Sequence, residues 1–178
     1  MDVCSRNSKS AASKLRLVQI NLKHCILASE NLLIYLIANN IDLALIQEPW
    51  IDGGKVKGLD HKEFQLFYLG SDSLQYRPRS CILVRKCLNA FLFPNFSDGD
   101  TTTISLDGIT RNKIFTSSYF DRDKDVPTDM VRKLVMEKKH FIIGADANAR
   151  HLNWGSRKQN NRVEQLFRAF LEQKKTLC

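Results

Sequence analysis

LRLVQIN (Leu15 to Asn21) and DLALIQ (Asp42 to Gln47) are two short, apolar, strand-like runs, and the segment between them decides the fold class. In that segment, Ala28 to Asn40 carries Leu32, Leu33, Leu36 and Ile37 on one helical face. Asn39 and Asn40 suit the helix end. Strand, amphipathic helix and strand in that order form a βαβ unit, so the two strands are expected to be parallel neighbours.

Moving outward, the pattern changes in the middle of the chain. Phe64 to Leu69, Ser80 to Arg85, Phe91 to Pro94, Thr101 to Leu106 and Lys113 to Phe120 are short strand candidates. Turn-rich pieces such as Gln75-Tyr76-Arg77-Pro78 and Ser97-Asp98-Gly99-Asp100 separate them. Consecutive strands without helices predict antiparallel pairing. Alternation then returns. Pro127 stands where helices begin, and Met130, Val131, Leu134 and Val135 make an apolar face. HFIIGA (His140 to Ala145) is a continuous apolar run and predicts a central strand covered on both sides. Asp146 to Asn161 is polar and loop-like. A last helix places Val163, Leu166, Phe167, Phe170 and Leu171 on one face. The whole is one α/β layered domain.

Composition narrows the class. A chain of 178 residues with 43% hydrophobic residues can build one globular core. No apolar run is long enough to span a bilayer. Residues 1–14, MDVCSRNSKSAASK, lack the apolar centre of a signal peptide and read as a loose polar leader ahead of a domain over 15–178. The five cysteines, Cys4, Cys25, Cys81, Cys87 and Cys178, are odd in number and contain no C-x-x-C pair. A reduced intracellular protein without disulfides is the simplest expectation. The net charge of +8 favours a polyanionic partner, because each paired phosphate releases counterions.

In open α/β sheets ligands bind beyond the carboxyl ends of the strands. The polar residues there are Asn21, Glu48, Tyr119, Asp146 and Asn148. Together they suit phosphodiester hydrolysis. Glu48 and Asp146 are carboxylates of the kind Mg²⁺ requires. An Asp held by amide neighbours can take a proton from water, and amide and phenol groups can donate to phosphate oxygens. Each residue alone has a plainer reading. Asn21, Asp146 and Asn148 are also turn-formers, Glu48 is a solvated carboxylate before a proline, and Tyr119 is a core-edge aromatic. His151 is either a phosphate contact or a loop residue, and His24 packs near the start of the first helix.

Four motifs carry a resemblance. LVQINLKHC (Leu17 to Cys25), LALIQEPW (Leu43 to Trp50), SSYF (Ser117 to Phe120) and IIGADANARHLNWGS (Ile142 to Ser156) occur in one order. They resemble the Q-x-N-L-x-H, Q-E-P-W, tyrosine and G-x-D-x-N-A-x-x-x-x-W-G-S motifs of the endonuclease/exonuclease/phosphatase domain of non-LTR (LINE-type) retrotransposons, most closely the insect-type jockey and I clades. The resemblance implies a DNase I-like, apurinic-endonuclease-like layered sandwich of two mixed β-sheets flanked by helices. It further implies that Asn21 and Glu48 hold Mg²⁺ (or Mn²⁺) and that Tyr119 contacts the scissile phosphate. In the same family reading, Asp146 orients or deprotonates the attacking water and Asn148 positions it. The substrate would be target-site duplex DNA, nicked in the nucleus to prime a reverse transcriptase domain later in the polyprotein.

The chain departs from the family in lacking its terminal Ser-Asp-His motif; Asp60-His61 lies in the wrong order to replace it. The resemblance therefore implies a domain incomplete at its C-terminus, with strands missing there and activity in question. The alternatives are a non-catalytic nucleic-acid-binding remnant and a phosphatase of the same superfamily.

Overall fold

The computed structural model describes residues 14–70, 77–107, 113–137 and 140–176. The leader expected over 1–14 falls outside them except for Lys14, as do Cys4, Cys178, Gln75 and Tyr76. The first βαβ unit forms as expected: β1 (Leu17–Asn21), α1 (Ile26–Ala38) and β2 (Leu43–Gln47). β1 and β2 are parallel, with Asn21 opposite Gln47. Asn40 adopts φ +51° directly after the helix, a left-handed conformation that asparagine tolerates.

A short hairpin follows, β3 (Ile51–Asp52) and β4 (Lys55–Val56). Next come β5 (Phe64–Phe67), β6 (Ser80–Arg85), β7 (Asn89–Leu92), β8 (Thr101–Asp107) and β9 (Lys113–Tyr119). The expected antiparallel pairing holds, but the strands divide between two sheets. The first sheet has the order β1-β2-β6-β5. The second adds β10 (His140–Asp146) and runs β10-β9-β8-β7, with α2 (Thr128–Met136) connecting the parallel pair β9 and β10. α3 (Asn161–Thr176) follows and packs on α2.

Side-chain alternation builds two cores. Ala44, Ile46, Cys81 and Leu83 face α1, where Leu32 and Leu36 meet them. Leu43, Leu45, Ile82 and Val84 point the other way, against Ile104, Leu106 and Phe115 of the second sheet. The buried stripe of α1 is Ser29, Leu32 and Leu36, and Ile37 is 37% exposed instead of facing the core. Arg85, almost fully buried, ties the end of α1 to the first sheet. Its Nε donates to the Ile41 carbonyl at 2.8 Å and its Nη1 pairs with Glu63 at 2.7 Å.

HFIIGA differs from its expected place. Among the described residues β10 stands at the end of its sheet, and Ile142 is 46% exposed. An apolar run is buried on both faces only where covering layers extend over the strand, and β10, with β9 as its one neighbour in the sheet order among the described residues, lies at the margin of the sheet. One face of β10 does press on the first sheet. A Cβ at Gly144 would stand 2.7 Å from Leu45 Cδ1 and 2.9 Å from Gln19 Cγ, so the glycine permits the close approach.

Candidate active site

The carboxyl ends of β1, β2, β9 and β10 lie along one rim, which main-chain hydrogen bonds lace together. Leu22 N–H donates to the Gln47 carbonyl, His24 N–H to Glu48, Glu48 N–H to Arg79, Arg79 N–H to Gly99, Tyr119 N–H to Asp100 and Phe120 N–H to Asp146. Each loop is therefore held by the next, and the side chains on it start from defined positions.

Beneath the rim the space between the sheets turns polar. Gln47, wholly buried, donates from Nε2 to Ser117 Oγ at 2.9 Å and to the Gly144 carbonyl at 3.0 Å, and its Oε1 accepts from Gln19 at 2.5 Å. Ser117 in turn donates to the Ile46 carbonyl at 2.8 Å. Thr101 and Ser118, and Ser80 and Thr102, pair through their hydroxyls. No buried side-chain nitrogen or oxygen among the described residues lacks a partner. A satisfied polar layer is rigid, because moving any member orphans another in a low-dielectric place.

Asn21 and Asp146, 125 residues apart, meet across the two sheets. Asn21 Nδ2 donates to Asp146 Oδ2 at 2.7 Å. The Asp146 Oδ1 accepts the Asn148 N–H at 3.1 Å. Both carboxylate oxygens are thus oriented, and lone pairs remain on each. The Asn21 Oδ1 accepts from Lys23 N–H at 2.8 Å, which sets the amide's orientation. Asn148 uses one amide hydrogen on the Phe120 carbonyl at 3.0 Å and accepts at Oδ1 from Arg122 Nε at 2.8 Å.

Glu48 follows Gln47 on the same rim. Its carboxylate has no side-chain hydrogen bond or ion pair among the described residues. Glu48 and Asn148 both have φ +47°, an uncommon conformation for side-chain-bearing residues that costs on the order of 1 kcal/mol each. His24 closes the Glu48 turn from below, with Nδ1 3.0 Å from the Pro49 carbonyl.

Tyr119 is placed by a cluster that its motif does not reveal. The Arg79 guanidinium stacks over the Tyr119 ring, 4.8 Å from its centroid. It forks onto Asp100 (2.6 and 2.8 Å) and reaches Asp121 at 2.8 Å. Burial works against the charge of Arg79, but its two carboxylate partners outweigh that and raise its pKa. The Asp123 N–H and then Arg79 hold Asp121 below the usual carboxylate range.

Of the residues singled out from the sequence, Asn21, Asp146 and Asn148 are in direct contact. Tyr119 stands opposite Asp146 in the β9–β10 register. Glu48 lies one residue beyond Gln47, the β2 partner of Asn21. His151 has a local role: its Nδ1 accepts the Asn153 N–H at 3.1 Å, and its ring meets Phe167 edge-on. Asp60 and His61 line a different cavity, of about 450 Å³, with Leu59, Phe64 and Lys86. Sequence reading passed over Arg79, Asp100, Asp121 and Arg122. They sit in turns and at a strand start, where no periodicity marks them.

No group of three or more His, Cys, Asp or Glu gathers among the described residues. A Cys/His zinc centre is not formed there. A hard cation held by one or two carboxylates, an amide oxygen and water fits the donors on this rim.

Two mixed sheets packed face to face, with helices outside, constitute a DNase I-like fold. Within that class, residues 114–178 match the endonuclease-reverse transcriptase family. The structure is similar to the endonuclease domain of TRAS1, a telomere-specific non-LTR retrotransposon, with a TM-score of 0.77 at 23% identity, covering 90% of this chain and 71% of that one. An endonuclease/exonuclease/phosphatase family protein from Leptotrichia buccalis superposes with a TM-score of 0.54 at 11% identity, covering 90% of this chain and 73% of that one. The family match and the fold agree with the resemblance read from the four motifs. No curated protein sequence shows a significant match. No helix among the described residues is long and apolar enough to cross a membrane.

Proposed function

We propose that this chain is a metal-dependent DNA endonuclease domain of a retrotransposon polyprotein, which nicks one strand of target DNA. The observation that carries the reading is the Asn21–Asp146–Asn148 contact, built from both sheets with Asp146 held at both oxygens. Asp146 takes a proton from a water molecule as the water oxygen bonds to phosphorus. The bond from phosphorus to the 3′ oxygen breaks and that oxygen takes a proton from solvent water, leaving a 5′-phosphate and a 3′-hydroxyl. The second amide hydrogen of Asn148 and the Tyr119 hydroxyl donate to the non-bridging oxygens. Glu48 and the Asn21 amide oxygen are the residues that would hold Mg²⁺ or Mn²⁺, which when bound supplies positive charge against the phosphate. The freed 3′-hydroxyl is the primer that a reverse transcriptase domain of the same polyprotein requires, which sets the reaction in the nucleus.

Supercoiled-plasmid nicking with and without Mg²⁺ tests this, beside the Asp146→Ala variant. Metal-dependent relaxed circles are expected, reduced about a hundredfold or more in the variant. A folded chain that binds DNA and leaves the plasmid intact would be a non-catalytic binder, and the endonuclease reading would fall.

A further inference from the structure

A second feature adjoins this rim. Arg122, Asn148, Ala149, Arg150, Lys158, Gln159, Asn160 and Arg162 line a cavity of about 440 Å³. Four of these residues are cationic and none is acidic. Its floor is built by specific bonds. Asn160 Nδ2 donates to the Asn148 carbonyl at 3.0 Å, and Asn160 Oδ1 accepts the Arg150 N–H at 2.9 Å. Arg162 is committed to main-chain carbonyls: Ala147 at 3.1 Å, Lys124 at 2.6 Å and Phe120 at 3.3 Å. It therefore clamps the loops after β9 and β10 to the start of α3.

The other cations are differently disposed. Arg122 spends only Nε, on Asn148 Oδ1, and among the described residues its two terminal nitrogens make no hydrogen bond. Fixing Nε orients the guanidinium plane and leaves an edge able to take two phosphate oxygens at once. Arg150 and Lys158 are exposed on the same cavity and form no ion pair among the described residues. Asn148 belongs to both the cavity and the Asp146 constellation.

We propose that this cavity is a subsite for a backbone phosphate of the DNA strand next to the phosphate that is cut, with Arg122 as its bidentate contact and Arg150 and Lys158 as its charge. The inference rests on the endonuclease reading for its ligand and adds the residues that seat the strand.

Binding of a fluorescent duplex oligonucleotide, measured by anisotropy in EDTA over a salt series, tests it without turnover. The Arg150→Gln/Lys158→Gln double variant is expected to bind about tenfold or more weakly, with the slope of log K against log salt reduced by about 1 to 2. Arg122→Lys, which keeps the charge and loses the fork, is expected to bind more weakly than wild type with little change in slope. The Lys62→Gln/Lys86→Gln variant removes the same charge at the other cavity and is expected to change little. Equal losses in the two double variants would mean diffuse charge alone, and no loss in the first would mean no subsite; either overturns the proposal. Displacement of the oligonucleotide by inorganic phosphate at matched ionic strength would also overturn it, as a site for the free anion. A wild type that binds with these slopes but never nicks would support the subsite and remove the catalytic reading.

Discussion

Asn21 acts on Asp146 through one hydrogen bond of 2.7 Å, and its removal separates positioning from stability. Asn21→Ala leaves one carboxylate oxygen unoriented at a half-exposed site. The expected outcome is a tenfold to hundredfold loss of nicking, on the order of what misplacing a catalytic group costs, with unfolding free energy changed by less than about 1 kcal/mol. Plasmid nicking and urea unfolding of the same variant measure the two effects. Asp121 gives a residue-level pH prediction. Its carboxyl is held below the usual range by the Asp123 N–H and by Arg79. A depressed folded pKa means the stabilisation is complete above the unfolded carboxylate value and fades as pH falls through the folded value. The stability gap between wild type and Asp121→Asn should be full at about pH 7 and shrink below about pH 4, read by urea unfolding at each pH. A gap that widened on acidification would contradict the pairing.

At the scale of elements, β10 owes its place to Gly144. The sheets approach closely enough there for Gln47 to reach the Gly144 carbonyl at 3.0 Å. Gly144→Ala inserts a Cβ against Leu45 and Gln19, which must shift. We expect a loss of about 1–3 kcal/mol by urea unfolding, the usual cost of overpacking. Nicking should fall with it, since Asp146 ends the same strand. Full activity and stability in this variant would mean that β10 does not set the position of Asp146. Part of this scale was legible in the sequence. The helical stripe of α1 and the apolar runs of β2 and β6 are local patterns, so the βαβ unit and strands β5 to β9 were readable within a residue or two, whereas the two-residue strands of the β3–β4 hairpin were not read. The division of the middle strands between two sheets was not, because alternation says which face is buried but not by what. The apolar run of β10 overstated its burial for the same reason.

For the whole molecule, the two sheets are joined by oil at one end and by hydrogen bonds at the other. Leu43, Leu45, Ile104 and Phe115 fill the first, and Gln47 with Ser117 spans the second. Gln47→Leu keeps the volume, removes the partner of the exposed Gln19 amide and of the Gly144 carbonyl, and leaves Ser117 with its bond to the Ile46 carbonyl alone. An expected loss of about 1–3 kcal/mol follows from the hydrogen bonds removed from this polar layer. Pairing it with Ser117→Ala in a double-mutant cycle should return less than the sum of the single losses. The amino-acid sequence by itself determined the helices, the longer strands and which polar side chains end those strands, since these depend on neighbours a few residues away, and the excess positive charge, which is a matter of composition. Tertiary structure alone decided that Asn21 meets Asp146, that Arg79 stacks on Tyr119 between Asp100 and Asp121, and that Arg122 shares a cavity with Arg150 and Lys158. Those partners are far apart along the chain, and their meeting depends on how two sheets register, which no local pattern encodes.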